Sequence, residues 1–181
     1  MLKKPSKGFT LIEIVIVIVI LSIVSAITIY FLVSSLKVYT MTVNQKTLFD
    51  EGKLALERMC RDIRDAGSIT LPAAGASGSL IAFTRTNPTA QDSASENITF
   101  QLTGGNLQKV KTSPSATSNL AGNVSAFTVT RDTSNEIKLQ LTLSLGTGEN
   151  VTLQTKVYPK NFVDDATYKN FFNNWMEEIS S

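Results

Sequence analysis

The sequence predicts an α+β fold, with a long N-terminal α-helix packed on an antiparallel β-sheet domain and room for a short C-terminal amphipathic helix. Three observations carry this. Residues 14–36 contain no charged side chain. Apolar residues then recur at three- and four-residue steps, at Leu48, Gly52, Ala55, Leu56, Met59, Ile63 and Ala66, the spacing of one helix face. Beyond residue 80 the apolar positions alternate with polar ones at period two, most strictly at Ile137, Leu139, Leu141, Leu143 and Leu145, the pattern of half-buried strands.

The first element is the apolar helix. A bilayer is crossed by about 20 apolar residues, and residues 14–36 supply that length. Glu13 stands at its entrance, where an ionised group is costly and marks function. Ahead of it lies Met1-Leu-Lys-Lys-Pro-Ser-Lys-Gly8, with Lys3, Lys4 and Lys7. That leader is too short and too polar to be a secretory signal with its own apolar core. Basic residues beside the start of a span stay on the cytoplasmic side. Lys3, Lys4 and Lys7 therefore keep the N-terminus cytoplasmic and place the rest of the chain on the far side of the membrane.

The segment Gly8-Phe9-Thr10-Leu11-Ile12-Glu13, with its lysine leader and following apolar run, resembles the class III signal of type IV pilins and of the pseudopilins of type II secretion. The resemblance implies a prepilin peptidase that cuts between Gly8 and Phe9 and methylates the new amino terminus at Phe9. It also implies that Glu13 pairs with the terminal amine of a neighbouring pilin or pseudopilin subunit during assembly. The alternative is a plain signal anchor that happens to hold Glu13. Around Ala55-Leu-Glu-Arg-Met-Cys-Arg-Asp-Ile-Arg-Asp-Ala66 the chain is similar to larger minor pilins, including those of the mannose-sensitive haemagglutinin pilus, and equally to the J-type pseudopilin. Many members of the family carry a glycine and a proline in the first half of the helix. Here Ser22 and Tyr30 stand at those positions, and neither Gly nor Pro occurs between Phe9 and Gln45.

The expected division is a leader at 1–8, a transmembrane and filament-core half-helix at 9–36, and an amphipathic half at 37–66. A β domain at 67–160 and a C-terminal amphipathic helix or tail at 161–181 follow. Read as one helix, residues 10–66 span roughly 85 Å at ~1.5 Å per residue, and Gly67 supplies the stop. The pairs Glu57/Arg61, Arg58/Asp62 and Arg61/Asp65 have the i, i+4 spacing of an exposed helical face. Ser22, Ser25 and Thr28 read as small helix-packing residues.

Residues 69–78 read as a loop from their Pro, Gly, Ala and Ser content. Residues 80–85 form a strand. Ile98, Phe100 and Leu102 form another, which turns at Gly104-Gly105-Asn106 into 107–111. A loop at 114–122 leads to Phe127 and Val129, and Asp132-Thr-Ser-Asn135 turns the chain into the strand that starts at Ile137. Gly146-Thr-Gly148 turns it again into Val151, Leu153 and Val157. About six strands, packed by one face on the second half of the helix, are expected. At the C-terminus Tyr168, Phe171, Phe172, Trp175 and Ile179 fall on one helical face, with Asp164 or Asp165 to start it. That stripe packs on its own domain or docks a partner subunit.

Composition narrows the chemistry. Removing Lys3, Lys4 and Lys7 from the 17 basic residues leaves 14 against 15 acidic ones, so the mature chain is near neutral. Lys109 and Lys111 read as the solvated face of a strand, and no nucleic acid is indicated. There is no histidine and a single cysteine, Cys60, which reads as a buried helix residue. The common triads and zinc sites are thereby excluded, and with them the intrachain disulfide of many major pilins. Asn97, Asn123 and Asn150 match the glycosylation pattern by chance in a Ser/Thr-rich chain. The expectation is a structural subunit with no catalytic residue, metal, cofactor or small-molecule substrate. A minor pilin leads, followed by a J-type pseudopilin and, in another class, an adhesin or DNA-uptake subunit.

Overall fold

The computed structural model describes residues 8–112 and 114–162. They form two compact units, one ending at Val43 and the other starting at Asn44. A single helix, α1 (Leu11–Arg64), runs through that boundary. In the first unit the large apolar side chains are exposed from Phe9 and Leu11 through Leu36. Ser22 and Thr28 donate their hydroxyls to the carbonyls of Ile18 (2.7 Å) and Val24 (2.8 Å), so these polar groups are satisfied within the helix itself.

The second unit is the α+β domain. Every residue of the expected stripe, from Leu48 to Ala66, is buried. Strands β1 (Ala66–Leu71), β3 (Leu80–Arg85), β4 (Asn97–Thr103), β5 (Asn106–Thr112) and β6 (Ser115–Ala121) form one sheet in the order β1-β3-β4-β5-β6. Strands β2 (Ser77–Gly78), β7 (Val124–Arg131), β8 (Ile137–Ser144) and β9 (Asn150–Val157) form a second, ordered β2-β7-β8-β9. All the pairings are antiparallel. The second half of α1 and both sheets share one core, in which Phe83 and Phe100 meet at 5.7 Å and Ile137, Leu139, Leu141 and Leu143 are fully buried. A side chain of that size contributes about 1.5–3 kcal/mol on burial. At Gly52 a Cβ would lie 2.7 Å from Leu143 Cδ1 and from Leu153 Cδ1; the glycine lets α1 press onto β8 and β9.

The fold corrects several expectations. Among the described residues nine strands in two sheets replace about six on one. The expected loop at 69–78 contains the end of β1, whose Ser68-Ile-Thr-Leu71 segment has a β-branched character that the following Pro and Gly residues obscured. The expected loop at 114–122 contains β6, an edge strand of Ser, Ala, Thr and Asn; its exposed side chains leave no alternation to read. Gly67 is no helix stop, because α1 ends at Arg64 and Gly67 already stands in β1. The last turn is closed by other means: the N–H of Lys160 donates to the Arg64 carbonyl at 2.8 Å, and that of Thr86 to the Asp65 carbonyl at 3.0 Å. Distant segments satisfy the carbonyls that a C-terminal glycine motif would otherwise serve. The turn at Gly104 and Gly105 is as expected, with φ of 57° and 77°, a left-handed geometry suited to glycine. Asn106 is the first residue of β5.

Candidate functional site

The amino-terminal segment is built from a cap outward. Thr10 accepts the first helical hydrogen bonds on its carbonyl, from the N–H groups of Glu13 (3.1 Å) and Ile14 (3.3 Å). Its hydroxyl oxygen also accepts from the Glu13 N–H at 3.3 Å. Thr10 is therefore the N-cap, and Glu13 lies three residues on, in the first turn, where the helix dipole favours a negative charge. The Thr-x-x-Glu spacing is the signal for this arrangement, and the reading of Glu13 as a membrane acid passed over it. Among the described residues Glu13 forms no ion pair. Gly8 is exposed and a Cβ there would meet nothing within 4 Å, so the chain's own packing imposes no requirement for glycine. Phe9 is 78% exposed. Gly8, Phe9 and Glu13 thus stand together at one open helix end. Lys3, Lys4 and Lys7 lie outside the described residues, as do Tyr168, Phe171, Phe172, Trp175 and Ile179.

A second feature is a buried ionic cluster that the sequence did not reveal. Arg85 Nη1 lies 3.1 Å from both Asp62 Oδ1 and Asp92 Oδ2, and Arg85 Nε lies 3.1 Å from Asp65 Oδ2. Lys109 Nζ reaches Asp62 at 2.9 Å and Asp92 at 2.6 Å, and Lys111 Nζ reaches Asp92 at 3.0 Å. Lys109 and Lys111 are therefore not a solvated strand face; their side chains are only 12% and 13% exposed. Nor do Asp62 and Asp65 serve the helix surface with Arg58 and Arg61, because the sheet offers cations that are already desolvated. Among the described residues Lys53 and Glu57 form an i, i+4 pair, at 3.9 Å. Burial opposes ionisation of Asp92, but hydrogen bonds from Lys109 and Lys111 outweigh it and hold the carboxyl below the ordinary aspartate value. The Asp92 bond raises Lys111 above the ordinary lysine value. The cluster ties the β3–β4 connection at 86–96 to α1 and β5.

Cys60 is buried, and desolvation pushes its thiol above the ordinary value, with a contact to Thr155 Oγ1 at 4.0 Å opposing this. A protonated, enclosed thiol is a packing group. Among the described residues no three acidic, cysteine or histidine groups converge as a metal site.

Comparison with known proteins agrees with the amino-terminal geometry. The prokaryotic N-terminal methylation motif matches residues 3–29, a stretch that holds Gly8, Phe9, Glu13 and the first part of the apolar helix. No curated protein and no solved structure matches the chain. The motif, the membrane-length apolar helix and the antiparallel β domain together support a type IV pilin-like protein. The motif is that of structural pilin-type subunits, and it implies membrane anchoring, processing by a prepilin peptidase and assembly with other subunits.

Proposed function

We propose that the chain is a minor pilin that acts in filament initiation or at the filament tip. The observation that carries this is the open end of α1, where one carboxylate, Glu13, stands at the head of an apolar surface that the described residues leave uncovered. Lys3, Lys4 and Lys7 hold the leader, residues 1–8, in the cytoplasm, and the domain beyond the span lies in the periplasm. The peptidase cuts after Gly8, whose open surroundings suit a requirement set by the enzyme rather than by the fold. Cleavage places a methylated amine at Phe9. Residues 9–36 first occupy the inner membrane and then the filament core, where an unpaired carboxylate is costly. Glu13 therefore favours the register that sets it beside a neighbour's amine. The domain has no disulfide loop, and the Arg85–Asp62–Asp92 cluster fastens its connections instead.

Glu13→Gln keeps the shape of the side chain and removes its charge. The variant is expected to be processed as the parent chain is, yet to enter sheared filaments about tenfold less, since ~1.4 kcal/mol of lost pairing is one decade. Entry at the parental level would refute the pairing role.

A further inference from the structure

The ionic cluster leaves two arginines without the partners that helix spacing offers them. Asp62 and Asp65 stand four residues beyond Arg58 and Arg61, but Arg85 and Lys109 hold their carboxylates from the sheet. Glu57, the other neighbour of Arg61, pairs with Lys53. Arg58 and Arg61 are exposed, and neither forms an ion pair among the described residues. Both line a cavity of about 630 Å³ between α1, the β3–β4 connection and strands β5 and β6, a size suited to a small ligand.

The two carboxylates in its wall are already occupied. Arg85 and Lys109 take the oxygens of Asp62, and Lys111, Arg85 and Lys109 take those of Asp92. The neutral groups that remain are donors. The Thr89 hydroxyl oxygen accepts the Asp92 N–H at 3.0 Å, which leaves its own proton to donate. Asn119 Oδ1 accepts from Gln108 Nε2 at 3.1 Å, which leaves its amide hydrogens. Ser118 adds a hydroxyl. Two like charges three residues apart on a helix repel each other, and an anion between them removes that repulsion.

We propose that this cavity binds a small acidic sugar through a compact oxyanion, a phosphate monoester or a carboxylate, gripped by Arg58 and Arg61. A guanidinium matches either group in bidentate geometry. The donors at Thr89, Ser118 and Asn119 suit the hydroxyl oxygens of the sugar. None of the described lining residues is aromatic, so the cavity offers a nucleobase no ring to stack on.

Titration calorimetry of the full chain in nonionic polyoxyethylene micelles tests this, with glucose 6-phosphate and glucuronate as probes and glucose as the uncharged control. Saturable binding of at least one anionic probe, and none of glucose, is expected; the probe that binds names the oxyanion. Arg58→Gln and Arg61→Gln should each weaken binding about tenfold or more, as loss of a charge-assisted hydrogen bond does. Both side chains are exposed, so an unchanged thermal midpoint verifies the fold of each variant. Arg64→Gln removes the same charge one helical step further on, outside the cavity lining, and should leave the affinity unchanged. Three results would overturn the proposal. One is no saturable binding of either anionic probe at millimolar concentration. Another is equal weakening by Arg64→Gln, which makes the attraction diffuse. The third is binding of a single-stranded oligonucleotide with neither sugar, which makes this surface a track for a polyanion.

Discussion

The two halves of α1 share one backbone geometry and differ in what surrounds them. From Leu11 to Leu36 the large apolar side chains are exposed, whereas from Leu48 to Ile63 the apolar stripe is buried against two sheets. Each half also carries an acid. Glu13 has no ion-pair partner among the described residues, while Asp62 is 7% exposed and held by Arg85 and Lys109. The difference teaches that helix pattern alone does not state where a surface is satisfied. The second half is satisfied by its own chain. The first half, apolar all round, has its solvent in a membrane or in other subunits.

Substitutions can break that contrast, and the acids give the largest expected effect. Asp62→Ala leaves Arg85 and Lys109 buried with a partner removed, and is expected to cost about 4 kcal/mol of domain stability, read from denaturant unfolding of the chain in micelles. Glu13→Gln should leave that stability unchanged. The same cluster sets a pH dependence. The folded value of Asp92 lies below its unfolded value, so its contribution is present above the ordinary aspartate range and is lost as pH falls through the depressed folded value. Lys111 is the mirror case: its raised folded value keeps its contribution below the ordinary lysine range and loses it as pH rises through the raised value. Thermal midpoints should therefore hold across neutral pH and fall on acidification below about pH 4. A profile flat through that range would contradict the cluster's role.

The apolar residues give the next effect. Ile63 is fully buried, and Ile63→Ala is expected to cost about 3 kcal/mol. Ile20 is 56% exposed, and Ile20→Ala should change domain unfolding by less than about 0.5 kcal/mol. An equal loss from both would mean that the first half packs within the chain.

What the sequence made legible follows from the same contrast. The stripe from Leu48 to Ala66 and the alternation from Ile137 to Leu143 were readable because one face of each is buried, and burial writes itself into residue period. Strand β6 was not, since its Ser115-Ala-Thr-Ser-Asn119 run is exposed on both faces. The ionic cluster was hidden for a different reason: Lys109 and Asp62 lie 47 residues apart, and a lysine whose partner comes from a distant segment looks like a solvated one. At the amino terminus Gly8, Phe9 and Glu13 were legible as a motif. The capping bond from the Glu13 N–H to Thr10 was legible too, in the Thr-x-x-Glu spacing. The helix end went wrong because Lys160 and Thr86, far along the chain, close the last turn that Gly67 was expected to finish.

The central claim is that the open half of α1 is the working surface of a processed filament subunit. Intact mass and amino-terminal sequence of the protein from sheared surface filaments test it most directly. A chain that begins at methylated Phe9, without the leader that carries Lys3, Lys4 and Lys7, is the expected result. A chain that begins at Met1, found in membranes and absent from filaments, would contradict it and reduce the apolar half of α1 to a plain membrane anchor.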